Sequence, residues 1–128
     1  MTKLIIDAAH EKIFFMIINK DISYNIKHEN TKINFDKMMI LINDFLNSKN
    51  IQISDISSLY VNRGPGSFAG IRNSLSIIKA IHIVKKIDYY CYSLHDFKDV
   101  NAIKYENIPK LCSKFKIKKN LINPNYIG

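Results

Sequence analysis

Apolar residues change their spacing several times along this chain, and each change marks a new element. Leu4-Ile5-Ile6 is a short apolar run ending at Asp7, the pattern of a buried strand. Ile13 through Ile18 are six apolar residues in a row, which predicts a strand over Lys12–Asn19 covered on both faces. Asn19-Lys20-Asp21 reads as a hairpin turn, after which Ile22, Tyr24 and Ile26 alternate with polar residues up to Lys27. That alternation predicts a third antiparallel strand, half-exposed at a sheet edge.

The period then becomes helical. Asn34 suits the N-cap of a helix reaching about Ser48, since its side chain can accept from a free backbone N–H. Met38 to Ile42 are all apolar. Five such residues span more than one turn, so a single core cannot cover them and a partner protein is expected on the second side. Ser58 to Asn62 reads as a strand, and a second helix from Ser67 to about Lys85 lines up Phe68, Ile71, Leu75, Ile78, Ile81 and Val84. Tyr89 to Tyr92 is the last predicted strand, and Ser93 caps a short helical segment carrying Leu94 and Phe97. The order βββαβαβα predicts an α/β fold, a mixed sheet with helices on its faces.

The strand at Asn62 meets the second helix through Arg63-Gly64-Pro65-Gly66-Ser67, with Gly70 one turn on. Pro65 fixes φ and the glycines open backbone angles closed to other residues, so these positions predict a tight structural turn. Two uses are open: a sharp strand-to-helix corner, or backbone N–H groups aimed at an anion. Neither GxGxxG nor GxxxxGK[ST] is present.

With 128 residues the chain is read as one domain that buries roughly two-thirds of its unfolded surface. Its net charge of +8 is uneven, because six lysines stand against Glu106 from Lys104 onward. The boundary predicted from this is an α/β domain over 1–103 and a basic C-terminal tail over 104–128. Lys114, Lys116, Lys118 and Lys119 are candidate RNA contacts; a merely solvated, lysine-rich end is the other reading. Without an apolar run of about 18 residues, the chain is expected to be cytoplasmic, with no membrane. Cys91 and Cys112 lack CxxC spacing and read as reduced thiols. His10, His28, His82 and His95 form no HxxxH or HExxH pair, so no metal, cofactor or catalytic residue is predicted.

The corner also carries a resemblance. Asn62 to Arg72 resembles the GRGPGSFTGLR signature of the bacterial TsaB (YeaZ-like) proteins, which act in making threonylcarbamoyladenosine on tRNA. Arg63 through Phe68, Gly70 and Arg72 match it, while Asn62, Ala69 and Ile71 replace Gly, Thr and Leu. The resemblance covers about residues 3 to 97. It implies half of an actin/Hsp70/sugar-kinase-like fold, a five-stranded sheet of order 3-2-1-4-5. Pro124-Asn125-Tyr126-Ile127 resembles the family's Pro-x-Tyr-Leu ending, so a shortened form is expected.

The function implied is that of a non-catalytic partner supporting a TsaD-type enzyme in tRNA modification. The resemblance implies a heterodimer with that paralogue, tRNA within the complex, and room for a TsaE-type ATPase or a homodimer. Family members pair through the two helices, which here nominates Met38, Ile40, Leu41, Ile71, Arg72, Ile77 and Ile81 as the partner interface. Arg72 is open to a second reading, as an exposed solubilising residue. Two alternatives remain: a small ATP-binding kinase-like remnant and a simple RNA-binding domain. Against the first, Asp7 stands where such kinases place a metal-associated Asp, but Ala8-Ala9-His10-Glu11 follows instead of a Gly-Thr hairpin.

Overall fold

β1 (Thr2–Asp7) lies at the centre of a sheet ordered β3-β2-β1-β4-β5. The computed structural model describes residues 1–126. β2 (Lys12–Asn19) runs antiparallel to β1, with Ile5 opposite Met16, and β3 (Ile22–Glu29) runs antiparallel to β2. β4 (Ile56–Asn62) and β5 (Asp88–Tyr92) are parallel to β1. This is the mixed five-stranded sheet that the order of elements predicts. β3 is mostly exposed, as an edge strand with period-two spacing should be.

Pleating sends alternate residues of each strand to opposite faces, and both faces are covered. Leu4, Ile6, Ile13, Phe15, Leu59 and Val61 meet the helices of one layer. Ile5, Phe14, Met16, Tyr60 and Tyr92 meet Phe97, Ile108, Leu111 and Cys112 on the other. The continuous apolar run of β2 is thus explained by two cores, one for each side of the strand.

The first helical stretch differs from expectation. α1 (Lys32–Asp36) is capped by Thr31, whose hydroxyl accepts from the Asn34 N–H at 3.2 Å, so Asn34 is not the cap. The Asn34 side chain instead donates to the Glu29 carbonyl at 2.8 Å. Lys37, at φ −113° and ψ 23°, breaks the helix before α2 (Met38–Ser48). α3 (Phe68–Lys85) begins as predicted, with Ser67 Oγ accepting from the Gly70 N–H, and stops at Lys86 in the left-handed conformation. Phe68 and Val84, expected on its buried stripe, lie in its terminal turns and are exposed.

Residues 104–128 were expected as a tail, yet the described part of that stretch folds back on the sheet. α4 (Ile108–Lys114) buries Ile108, Pro109, Leu111 and Cys112, so the second core is incomplete without it. Beyond α4, Asn120 donates its N–H to the Tyr89 carbonyl at 2.8 Å and its side chain to Asp88 at 2.9 Å. These bonds occupy part of the open edge of β5. No helix among the described residues is long and apolar enough to cross a membrane.

Cys91 and Cys112 are free and buried, and burial pushes each thiol from the ordinary 9.0 up to about 12. The fold therefore favours the protonated forms. Their stabilising contribution is complete below pH 9, where unfolded thiols also keep their protons, and is lost as pH rises toward about 12. Melting midpoints should fall across that window, and less steeply for a Cys91→Ala/Cys112→Ala variant. Equal slopes in both proteins would contradict the burial argument.

Candidate partner surface and the polar cluster at the strand ends

β4 delivers the chain to the corner, where hydrogen bonds and close backbone contacts hold it. Arg63 donates to Asp96 Oδ1 at 2.8 Å and to the Asn123 carbonyl at 3.2 Å, and its own carbonyl accepts from the Asn125 N–H at 2.7 Å. Gly64 has φ +107°, and a Cβ there would run into the Asn125 carbonyl oxygen. Gly66 lies against the Ala9 carbonyl, which accepts from the Ser67 N–H at 2.8 Å. Tyr126 rests on Phe68, ring centroids 4.7 Å apart. The Pro124–Tyr126 segment is therefore part of the corner; Ile127 lies outside the described residues.

The ends of β1 and β4 bring together a polar cluster. Asp7 is buried, and its carboxylate accepts from the Ala9 N–H at 3.0 Å, Asn62 Nδ2 at 3.1 Å and the Tyr105 hydroxyl at 2.7 Å. His10 Nε2 stands 3.5 Å from the same carboxylate. Burial, together with the neighbouring Asp7, pushes the Tyr105 phenol well above its ordinary value, so it stays a donor. Asn62 Oδ1 also accepts from the Gly64 N–H at 2.9 Å. An amide that bridges Asp7 and the corner gives a reason for Asn where the signature has Gly. With three donors on it, Asp7 is a structural tie more than an open ligand, and no metal-binding group of three His, Cys, Asp or Glu occurs among the described residues.

Sequence reasoning reached Asp7 but missed Tyr105, 98 residues away, because nothing local announces so distant a contact. Tyr105 stacks on Phe14 at 4.1 Å between centroids. Tyr105→Phe keeps the stack and removes one hydrogen bond to a carboxylate, so it should cost about 1.5–3 kcal/mol. Tyr105→Ala should cost more, by loosening α4 from the sheet. Urea midpoints of the two variants and the parent check this; a Tyr105→Phe midpoint equal to the parent's would show that the hydroxyl is dispensable.

The seven residues expected on the partner interface separate. Met38, Ile71 and Ile81 are buried in the domain's own core, because the helix faces that carry them turn onto the sheet. They are not available as an outer surface. Ile40 is 60% exposed, Leu41 and Ile77 are half-buried, and Arg72 is exposed. Arg72 makes no ion pair among the described residues. A groove of about 390 Å³ runs between α1–α2 and α3, with Phe35, Met39, Ile77 and Ala80 in its walls. Ile33, which the sequence reading passed over, is 72% exposed on α1.

The four lysines also separate. Lys119 lies 3.7 Å from Asp88, and Lys114 leans over the Phe115 ring. Lys116 and Lys118 line one hollow together with Arg63.

No family model matches the chain. Over 82 residues, 64% of this chain, it is 24% identical to the tRNA threonylcarbamoyladenosine biosynthesis protein TsaB of Buchnera aphidicola, covering 37% of that protein. YeaZ from Pseudomonas aeruginosa superimposes with a TM-score of 0.66 at 16% identity, over 72% of this chain and 43% of its own. The chain is TsaB/YeaZ-like. It spans less than half the length of either relative. RuvC of Thermus thermophilus superimposes over 98% of the chain and 85% of its own length, TM-score 0.55 at 11% identity. At such identities the likeness to RuvC and to YeaZ shows the fold alone. The sheet shares the fold of YeaZ and has the strand order 3-2-1-4-5 that the resemblance implied.

Proposed function

We propose that this chain serves threonylcarbamoyl modification of adenosine in tRNA as a non-catalytic partner of a TsaD-type enzyme. The observation that carries the reading is the corner from Asn62 to Arg72. It carries the family signature within a fold that superimposes on YeaZ, and it leads from β4 into α3, capped by Ser67. The proposed pairing surface is the outer side of α2 and α3: the groove walled by Met39 and Ile77, together with the exposed Ile40 and Arg72 and the half-buried Leu41 of the same two helices. Helices pair by interlocking ridges, and two from each protein would form a four-helix contact.

An ATP-dependent role for the chain by itself finds little support. Asp7 is already engaged by three donors, and no glycine hairpin follows it. The test is co-expression with the TsaD-type protein of the same source, followed by size-exclusion chromatography. Co-elution as one species is expected, and two separate peaks at micromolar concentration would refute the partnership.

A further inference from the structure

Lys116 and Ile117 form a ridge with a hollow on each side. One hollow, about 200 Å³, is lined by Arg63, Asp96, Lys116, Lys118 and Asn123. The other, about 230 Å³, is lined by Tyr60, Tyr90, Ser113 and Lys116. The turn ending α4 sets this ridge: the Lys116 N–H donates to the Ser113 carbonyl and the Ile117 N–H to the Cys112 carbonyl, with Lys116 at φ +54°.

We propose that the pair of hollows binds a single-stranded RNA segment, a phosphate against Arg63, Lys116 and Lys118 and a neighbouring base against Tyr90. Arg63 is held in place by Asp96 and the Asn123 carbonyl; its Nε is buried, which leaves the second N–H of Nη1 and of Nη2 for a phosphate. A guanidinium fixed before binding loses little freedom on meeting a phosphate. Asp96 offsets one positive charge, and two lysines remain in excess. Tyr90 is half-buried and stacks on Tyr60 with centroids 5.1 Å apart, so its ring is braced. A braced aromatic beside a cationic hollow is the arrangement that binds unpaired nucleotides. The inference deepens the pathway reading but does not use the helix groove.

The experiment is binding of an unmodified tRNA transcript to the full chain, by fluorescence anisotropy over a salt series. Lys116→Gln/Lys118→Gln should reduce the salt slope by about 1, the loss of one phosphate contact. Lys79→Gln/Lys85→Gln, a pair of exposed lysines on α3, should leave it unchanged. Tyr90→Ser should weaken binding about tenfold without altering the slope, since stacking carries no counterion release. Equal slope changes in the two lysine pairs would overturn the proposal, as would absence of salt-dependent binding by the parent. AMP binding that depends on Lys116 and Lys118, with tRNA binding unaffected by them, would assign the hollows to a free nucleotide and overturn the RNA assignment. Ile40→Asp should keep the tRNA slope even where it loses the protein partner, so the two readings fail separately.

Discussion

Gly64→Val is expected to lower the unfolding free energy by about 3 kcal/mol, at the upper end of single-residue effects. Two costs add. A β-branched residue at φ +107° is strained by contact with its own backbone. Its Cβ would also meet the Asn125 carbonyl and the Ile71 side chain, and a backbone carbonyl cannot move aside cheaply. Gly66→Val should be costly for the second reason, through the Ala9 carbonyl. Urea midpoints measure both. Parent-like midpoints in the pair would mean that the corner is not built by close backbone approach.

The second large effect is on association. Ile40→Asp should fold with a near-parent melting temperature, because Ile40 is 60% exposed and contributes little to the core. It should nevertheless fail to co-elute with the TsaD-type protein or with another copy of itself. A carboxylate placed in an apolar contact costs several kcal/mol without a partner ion, against a surplus that association leaves small. Ile42→Asp is the contrasting variant: Ile42 is fully buried, so that change should unfold the domain. Retained pairing in folded Ile40→Asp would exclude this face as the interface.

The sheet was legible in the sequence because strand spacing is direct evidence of burial on one face or two. Six apolar residues at Ile13–Ile18 required cover on both sides, and the structure supplies it. Helix faces were harder. Met38 to Ile42 are uniformly apolar, so nothing in their spacing distinguishes Met38, which packs inward, from Ile40, which points out. The start of α1 was ambiguous because Thr31 and Asn34 are both suitable caps; the choice depends on Asn34 bonding back to the Glu29 carbonyl. α4 was read as part of a tail because the stretch from Lys104 onward carries six lysines against Glu106, while the core contacts of α4 belong to strands far upstream. Tyr105 was missed for the same reason.

The functional account is tested most directly by the threonylcarbamoyladenosine content of total tRNA, quantified by mass spectrometry after depletion of this protein in its own cells. The account predicts that the modified nucleoside falls, recovers with the parent chain, and does not recover with Ile40→Asp expressed at the same level. Unchanged modification after depletion would contradict it.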